Sequence, residues 1–575
     1  MHFNCLQLVG RIALLLAAEL VLVPVARADE SQKSASPSDP QFRHGAVVCV
    51  SQVASDIGAE ALKRGGTAVD AAVATAFALA VTYPAAGNIG GGGYMLIVPA
   101  QRGEPTVIDF REVAPAAATR DMFVDPSART DHRRVGVPGT VRGLALAHAR
   151  QGRLAWRDLV LPAVKLAREG FSLDAAVAAE LNKVLGRSDR EEFAELHRVY
   201  SRADSMPWQP GDRLVQPDLA RVLEIVANKG PDGFYKGEVA QLMAAEMQRG
   251  GGFVTTGDLE AYQPILRKPL GTTYRDCEIL SVPPSSSGGT TLALALNMLE
   301  TFEPDTSARW SAAAMHRMTE CMRRAYRERA AYLGDPATTD IPADLLEKNY
   351  AKRLASSIDP AKATPSEALA GDIPVANESE HTTHVSVIDR DGAAVSMTYT
   401  LEQAFGSRVV VRGGGFLLND EMNDFNWLPG VTNNKGRIGT LPNQIAPGKR
   451  MLSSMCPVVV RRDGHTVLVT GSPGGRTIIN TVLCVLINVI DYRMEARAAV
   501  DAPRFHQAWF PDELRIEPKL EKVHPMAVEE LRRLGHEIVP SRESQGDAHT
   551  LSIDPRTGEI TAAPDRRVSG GAAGH

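Results

Sequence analysis

Two short runs in which apolar and polar residues alternate constrain the fold of this chain more than any other stretch. They cover residues 383–387 and 395–400, and the dipeptide Asp391-Gly392 lies between them. Alternation with a period of two is typical of β-strands, and Asp-Gly is a strong signal for a tight hairpin turn. If the chain folds back at this turn, paired residues have numbers that sum to 782, so Thr382 lies opposite Thr400. The sequence therefore predicts a β-hairpin.

One face of this hairpin is polar along its whole length. Thr382, His384 and Ser386 share this face on the first strand, and Thr398 and Thr400 share it on the second. The simplest interpretation is contact with water, because one side of an antiparallel sheet is often solvated. The alternative is a polar site, and residues elsewhere in the chain bear on that choice.

The composition excludes several classes of protein. The 575 residues are 44% hydrophobic and 23% charged, with a net charge of −5, so there is no basic excess for a nucleic-acid partner. No CxxC or HExxH motif occurs, and the sequence predicts neither a metal site nor another cofactor. The cysteines beyond the N-terminal leader are expected to be buried free thiols because they are far apart and stand in apolar surroundings. They are Cys49, Cys277, Cys321, Cys456 and Cys484.

Residues 1–28 have the pattern of an export signal. A basic residue precedes an apolar run from Ile12 to Val25, and Ala26-Arg27-Ala28 fits a cleavage site between small residues. Glu19 interrupts the run, so a retained membrane anchor is the alternative, although the run is short for a membrane-spanning helix. The leader predicts a periplasmic or secreted protein that is cleaved after Ala28, followed by a disordered polar lead-in at residues 29–41.

The region before the hairpin is predicted to combine a few strands with a layer of helices over a sheet. The expected elements are strands at 47–50, 94–98 and 106–112, helices at 54–64, 68–81, 144–149, 155–169, 217–229 and 311–333, and a tight loop at 283–289 before a helix at 290–300. Residues 360–380 are polar and loop-like, which predicts a flexible connection directly before the hairpin.

Gly90 to Gly93 form a run of four glycines after the second predicted helix. A phosphate-binding loop is not supported, because no lysine follows the glycines and no helix starts after them. Close approach of two backbones, or of a substrate, explains the glycines better.

Arg111 ends the strand at 106–112 and has two interpretations. It either pairs with Asp109 or Glu112 at the surface or offers its guanidinium as a fork for a carboxylate.

The region after the hairpin contains three further segments of interest. Residues 413–425 are expected to form a strand that runs into an acidic turn, and the Gly- and Pro-rich loop 429–447 is long enough for a lid. A second hairpin is predicted at residues 457–470. It ends in the turn 471–476 before an apolar helix at 477–490, where backbone N–H groups either bind an oxyanion or only shape the turn.

Taken together, the motifs of this chain resemble those of the γ-glutamyltranspeptidases, which are N-terminal-nucleophile hydrolases. The resemblance rests on GNIGGGGYM, DFRE, TTHVSV with TYT, LLNDEMNDF, KRMLSSM and TGSPGGR, which occur in this order and at these spacings over nearly the whole chain. It implies a four-layer αββα sandwich of two stacked antiparallel sheets between helices. It also implies a precursor that cleaves itself between His381 and Thr382 into a large subunit, residues 29–381, and a small subunit, residues 382–575, which form a heterodimer.

The resemblance also implies a chemistry. The substrates would be glutathione, its conjugates and other γ-glutamyl compounds, and the γ-glutamyl group would pass to water or to amino acids and peptides. A threonine hydroxyl needs a base, which the α-amine of an N-terminal Thr382 supplies. The implied roles are oxyanion binding by Gly474 and Gly475, orientation of the nucleophile by Thr400, binding of the substrate α-carboxylate by Arg111, Ser453 and Ser454, and binding of its α-ammonium by Glu421 and Asp424.

Two residues depart from the pattern of the family. Glu402 stands where many members carry asparagine, and Lys435 stands in the lid where some carry an aromatic residue. A third carboxylate beside Glu421 and Asp424 would repel them unless it is neutralised. We therefore hypothesise that Lys435 pairs with Glu402 when the lid closes over the substrate-binding residues; the alternative is a solvated loop lysine.

Two other functions compete with this one. A cephalosporin acylase of the same superfamily would cleave glutaryl amides, whose acyl group lacks the α-amine that Glu421 and Asp424 would bind. An exported binding protein would hold an amino acid without turnover, and the presence of Thr382, Gly474 and Gly475 argues against it.

Overall fold

The computed structural model describes residues 39–100, 103–303, 308–371, 375–376, 381–431, 433, 435, 437–541 and 544–575. The expected export signal at residues 1–28 lies outside the described residues, as do most of the lead-in and part of the connection at 360–380. In the described part of the chain, no helix combines the length and the apolar character that crossing a membrane requires.

Two antiparallel sheets of seven strands each form the centre of the fold. Their strands are β1 (Gln41–Phe42), β2 (Gly45–Cys49), β3 (Gly92–Val98), β4 (Thr106–Asp109), β5 (Ile265–Arg267), β6 (Leu270–Tyr274), β7 (Cys277–Ser281), β8 (His381–Asp389), β9 (Ala394–Glu402), β10 (Val458–Arg462), β11 (His465–Thr470), β12 (Thr550–Ile553), β13 (Ile560–Ala563) and β14 (Gly571–Gly574). The first sheet has the order β14-β2-β8-β9-β3-β4-β5, and the second has the order β1-β13-β12-β11-β10-β7-β6. The predicted hairpin, β8 and β9, is therefore central in the first sheet.

Helices cover the outer faces of both sheets. They are α1 (Gln52–Lys63), α2 (Ala68–Thr82), α3 (Thr140–Gln151), α4 (Trp156–Glu169), α5 (Ala175–Arg187), α6 (Ala194–Tyr200), α7 (Pro217–Lys229), α8 (Asp232–Tyr235), α9 (Gly237–Gly250), α10 (Thr256–Ala261), α11 (Gly288–Leu299), α12 (Ala312–Tyr332), α13 (Lys348–Ser356), α14 (Thr477–Ile490), α15 (Ala496–Asp501), α16 (Pro518–Val523) and α17 (Pro525–Arg533). Shorter pieces are 3₁₀ turns at Pro126–Ala128, His132–Arg134, Ala343–Leu346, Ser366–Leu369, Glu421–Asp424 and Leu441–Asn443, and strands at Phe171–Ser172, Arg213–Leu214, Val375–Ala376, Arg437–Ile438, Phe505–His506, Leu514–Ile516 and Ile538–Pro540.

Three layers of buried apolar residues hold these elements together. One lies between the helices of the first half of the chain and the first sheet, and another lies between the second sheet and helices that include α11, α12 and α14. The third lies between the sheets, where Val48 and Leu96 of the first sheet belong to one cluster with Val459 and Leu551 of the second. This arrangement confirms the predicted αββα sandwich. All five cysteines of the described chain are buried and free, as predicted.

Local sequence explains where the helices begin. Thr67 and Asp70 form a capping box at the start of α2, and every residue of this helix is buried, as its apolar character predicted. The helix α14 begins at Thr477 and ends at Ile490, the bounds expected from the sequence. The predicted helices are confirmed to within a few residues at their ends.

The pairing of β8 with β9 confirms the predicted register over most of the hairpin. Thr383 lies opposite Tyr399, and each pair onward to the turn at Asp391-Gly392 has numbers that sum to 782. The register shifts before Thr383, because His381 pairs with Glu402. Thr382 therefore faces two residues of β9, Thr400 and Leu401, so the predicted pairing with Thr400 is altered only by a bulge of one extra residue on β9.

The polar face of the hairpin is buried between the sheets and does not face water. Ser386 Oγ donates a hydrogen bond to the carbonyl of His549, and Ser396 Oγ donates one to the carbonyl of Thr470, at 2.9 and 3.0 Å. Both acceptors belong to the second sheet or to its edge. The interpretation as a solvated face is wrong, because alternation in one strand does not distinguish water from a second polar layer.

The glycines near the hairpin have two different roles. A Cβ atom on Gly91 would lie 2.0 Å from the carbonyl oxygen of Thr400, which confirms the expected close approach of backbones. Gly413 and Gly415 have positive φ angles of 72° and 69°. The strand expected at 413–425 is not formed beyond an isolated bridge between Val410 and Leu417, because these turns interrupt it.

Candidate functional site

Most of the polar residues identified in the sequence line one narrow cavity at the start of β8. The cavity has a volume of about 20 Å³, which is room for about one water molecule. Its lining consists of a guanidinium, three carboxylates, four hydroxyl side chains, a glycine and two apolar residues, namely Arg111, Glu402, Glu421, Asp424, Thr382, Thr400, Ser453, Ser454, Gly475, Met455 and Ile478. Residues far apart in the sequence therefore meet at one point.

Thr382 and Thr400 border the cavity from the paired strands β8 and β9. The hydroxyl oxygen of Thr400 accepts a hydrogen bond from the backbone N–H of Glu402 at 2.9 Å. The carbonyl of Thr400 accepts one from Nδ2 of Asn88, whose Oδ1 accepts from the N–H of Gly91. Asn88 thus holds the end of β9 in place. The role of this side chain was not predicted from the sequence, whereas that of the adjacent glycine run was.

Arg111 is a buried fork and not a surface residue. Its guanidinium pairs with Glu421 at 2.6 Å and with Asp424, and Glu112 lies 3.6 Å away. Asp109, the other partner considered from the sequence, pairs with different arginines. The side chains of Arg111, Glu421 and Glu112 are at most 1% exposed, so their charges interact in a medium that screens them weakly.

The acids around Arg111 outnumber its single positive charge. Burial raises the pKa of Glu421 well above its usual range, and Arg111 opposes this shift. Burial likewise raises the pKa of Glu112 to about 8 and that of Asp420 to about 6. Among the described residues, neither carboxylate oxygen of Glu112 has a hydrogen-bond partner. At neutral pH, some of these carboxyl groups therefore hold protons.

Ser453 and Ser454 are held by the tight loop predicted at 283–289. The carbonyl of Ser453 accepts hydrogen bonds from the backbone N–H and the hydroxyl of Ser287, at 2.7 and 2.6 Å. Arg329 of α12 donates from Nε to Ser287 Oγ and from Nη2 to Ser454 Oγ. A buried arginine within a helix carries no recognisable sequence signal, so this support was not predictable from the sequence.

The glycine turn before α14 lies next to Thr382. Gly475 lines the same cavity, and the φ angles of Gly474 and Gly475 are +127° and +53°, which favour glycine. Thr477 donates from Oγ1 and from its backbone N–H to the carbonyl of Gly474, at 2.7 and 3.0 Å. This leaves backbone N–H groups at a helix N-terminus, an arrangement that suits a developing negative charge.

A second, larger cavity begins on the other side of Thr382. Its volume is about 840 Å³, and Thr382, Gly474 and Thr477 are part of its lining. Thr382 therefore lies between a narrow charged cavity and a space that accepts a larger group.

The loop predicted as a lid is anchored near the acids. Asn443 Nδ2 donates to the carbonyl of Asp424 at 2.5 Å. Lys435 is exposed, and its backbone N–H donates to Asn433 Oδ1 at 3.0 Å. The pairing of Lys435 with Glu402 stays a prediction.

One cluster in the described part of the chain has the donors of a metal site, namely His316, Glu320 and His536. The two imidazoles are hydrogen bonded to each other at 2.8 Å, and the Glu320 carboxylate pairs with Arg323 and Arg324. These side chains are therefore already bonded to each other or to arginines, as in a structural network.

Comparisons with known proteins show the family to which this chain belongs. Residues 54–575 match the family model described as gamma-glutamyltranspeptidase. A glutathione hydrolase proenzyme of Escherichia coli (strain K12) is 44% identical over 533 residues, which covers 91% of this chain and 90% of that protein. The structure of Helicobacter pylori gamma-glutamyltranspeptidase is 38% identical with a TM-score of 0.52, over 55% of this chain and 92% of that chain. A cephalosporin acylase from Bacillus halodurans has a TM-score of 0.82 at 23% identity, over 95% and 98% of the two chains, and this likeness concerns the fold alone.

The raised pKa of Glu112 leads to a test by pH. The pKa is about 8 in the folded chain against 4.5 as an ordinary value, so the folded state holds an extra proton between these values. Its stability relative to the unfolded state must fall as pH rises through this window, by about 1.4 kcal/mol per pH unit at most. Glu112→Gln removes this loss of stability, because glutamine does not titrate. We expect the variant to melt above the wild type at pH 8, with a gap that narrows toward pH 5.

Thermal unfolding between pH 5 and 9 measures this gap, with the exposed Glu104→Gln as a matched control whose curve runs parallel to that of the wild type. A Glu112→Gln curve that is also parallel would show that Glu112 keeps an ordinary pKa in the folded protein.

Proposed function

The chain belongs to the γ-glutamyltranspeptidase family, and from this premise we propose that it cleaves the γ-glutamyl amide bond of glutathione and related compounds. The γ-glutamyl group then passes to water or to the amine of an amino acid or peptide. The observation that carries the proposal is the cavity that combines Thr382 with one guanidinium, two serines and three carboxylates. Such a set matches the carboxylate and the ammonium of a γ-glutamyl group, next to a nucleophile.

Substrate binding exchanges the partners of Arg111. In this structure Arg111 pairs with Glu421 and Asp424. The α-carboxylate of the substrate takes its place beside Arg111, Ser453 and Ser454, and the α-ammonium pairs with Glu421 and Asp424. Arg111, Glu421 and Asp424 then still have partners of opposite sign, which buried charges require.

The reaction then needs a base and an oxyanion site. The free α-amine of Thr382, with a pKa near 8, takes the proton of its own hydroxyl, and Oγ attacks the γ-carbonyl carbon. The N–H groups of Gly474 and Gly475 stabilise the oxyanion, and Thr400 orients the nucleophile. The amine leaves toward the larger cavity, and water or an acceptor amine entering from there resolves the γ-glutamyl ester.

An N-terminal Thr382 requires cleavage after His381. We propose that the chain yields a large subunit, residues 29–381, and a small subunit, residues 382–575, which stay together as a heterodimer through the central sheet. Two features support this: the register of the hairpin shifts at Thr382, opposite the bulge of β9, and the segment Val375–Ala376 upstream of the bond pairs with Arg437–Ile438 of the lid loop. Export to the periplasm or the medium is proposed from the sequence of residues 1–28.

Thr382→Ala tests the nucleophile. Without the hydroxyl neither self-cleavage nor acyl transfer is possible, so we expect one uncleaved band on a denaturing gel and no release of p-nitroaniline from γ-glutamyl-p-nitroanilide. Thr383→Ala is the matched control, because Thr383 is the adjacent threonine and is 1% exposed. It should still give two subunits and an active enzyme. A Thr382→Ala chain that splits would contradict the assignment.

A second prediction separates this activity from that of a glutaryl-specific acylase. A glutaryl group lacks the α-ammonium and would leave buried carboxylates without a partner. Two lost charge-assisted hydrogen bonds cost about 3–6 kcal/mol, so kcat/KM for glutaryl-p-nitroanilide should be about 10²–10⁴-fold below that for γ-glutamyl-p-nitroanilide. Asp424→Asn should reduce the ratio of kcat/KM for γ-glutamyl-p-nitroanilide to kcat/KM for glutaryl-p-nitroanilide. Equal rates for the two anilides in the wild type would favour the acylase.

A further inference from the structure

Self-cleavage poses a chemical problem that the mature enzyme does not have. Before cleavage, the nitrogen of Thr382 is part of the amide bond to His381 and has no basic lone pair. The α-amine that serves as base during turnover therefore does not exist at this stage. Another group must take the hydroxyl proton, and geometry is the first criterion for choosing it.

Glu402 is the acidic residue next to the bond that breaks. Its backbone pairs with His381 across the ladder, and the bulge opposite Thr382 lies directly beside this pair. Glu402 and Thr382 also line the same cavity, which has a volume of about 20 Å³. The two side chains therefore border the same small space, which holds about one water molecule.

The backbone of Glu402 has an unusual conformation at this position. Its φ angle is +83°, which a residue with a bulky side chain rarely adopts. Such a conformation persists only where the surroundings enforce it, and these residues often lie at functional sites. The backbone N–H of Glu402 donates to Thr400 Oγ1, so the same turn fixes Thr400 at the cavity.

The other carboxylates of the cavity differ from Glu402 in their contacts. Glu421 and Asp424 both pair with Arg111, and a neighbouring cation lowers the proton affinity of a carboxylate. The Glu402 carboxylate accepts a hydrogen bond from the neutral amide of Asn423 at 3.2 Å. Asn423 also donates to Asp420 at 2.6 Å, so Glu402 and Asp420 share one amide.

We propose that Glu402 is the general base of self-cleavage in this chain. The inference rests on the proposed function, because it takes Thr382 as the nucleophile. The carboxylate takes the proton from Thr382 Oγ while Oγ bonds to the carbonyl carbon of His381. The proton then passes to the nitrogen of Thr382, the C–N bond breaks, and an ester between His381 and Thr382 is left. Water hydrolyses this ester, which restores the hydroxyl and gives His381 a carboxylate.

The proposal predicts slow maturation without the carboxylate. We expect Glu402→Gln to lower the rate of cleavage about 100-fold or more, within the range of general-base effects. The full chain is made by cell-free synthesis, and its conversion to two subunits is followed on denaturing gels. Glu104→Gln is the control, because it makes the same substitution at an exposed site outside the cavity, and its rate should stay within a few-fold.

Dependence on pH distinguishes a base from a structural residue. Wild-type cleavage should accelerate as pH rises from about 5 to 8, whereas the slow Glu402→Gln reaction should not follow the same curve. The groups that face Glu402 and influence this curve are Asp420 and Asn423 beside it and Arg111, Glu421 and Asp424 around the cavity. Burial raises the pKa of Asp420 to about 6, so its charge develops within this window.

Chemical rescue completes the test. Glu402→Ala opens space for a small acid, so added acetate or formate should restore cleavage in proportion to its concentration, while Glu402→Asp should retain it in part. Cleavage of Glu402→Gln at the wild-type rate overturns the proposal. So does a slow Glu402→Ala chain that melts like the wild type and does not respond to acetate. Cleavage of Thr382→Ala would instead refute the proposed function itself.

Discussion

Buried charge at the start of the central hairpin is the constraint on which the rest of this structure depends. Arg111 carries one positive charge against Glu421, Asp424 and Glu112, and its side chain is only 1% exposed. Removing one partner of a buried ion pair typically costs about 3–5 kcal/mol, so such a cluster persists only if its geometry is held firmly. An uneven balance of acids and bases also favours a ligand that brings its own ammonium and carboxylate.

Contacts on several sides hold this charged cluster in a fixed geometry. The strands β8 and β9 lie in the middle of a sheet whose polar face is sealed by a second sheet, and hydroxyls such as Ser386 and Ser396 bond across the gap. The loop around Ser287 and the helix that carries Arg329 hold the two serines of the cavity. The αββα arrangement thus fixes one end of a hairpin, where Thr382 borders both a narrow charged cavity and a wide one.

Much of this arrangement was predictable, because it follows from local patterns and from motifs that resemble a known family. The turn at Asp391-Gly392 determines the register of the hairpin, and the apolar run at 477–490 determines α14. Nine of the residues expected in the site line one cavity, and their individual roles stay predictions. What escaped prediction depends on tertiary contacts. Alternation did not show that the polar face lies against a second sheet, and it did not show the bulge opposite Thr382.

Buried polar residues outside recognisable motifs escaped prediction for the same reason. Asn88, Arg329 and the unsatisfied carboxyl of Glu112 act through neighbours that are distant in sequence. The strand predicted at 413–425 is absent for a local reason. Two glycines with positive φ angles turn the chain there, and this outweighs the β-forming residues that follow them. Glu402 acquires a defined place only through its pairing with His381.

The central claim is that Thr382 is an internal residue that becomes the N-terminal nucleophile of a second subunit. Intact mass spectrometry of the purified protein, with sequencing of the N-terminus of the smaller fragment, tests it most directly. We predict two fragments, of which the smaller begins at Thr382. A protein that is active on γ-glutamyl-p-nitroanilide as a single uncleaved chain, or whose smaller fragment begins at another residue, would contradict the claim.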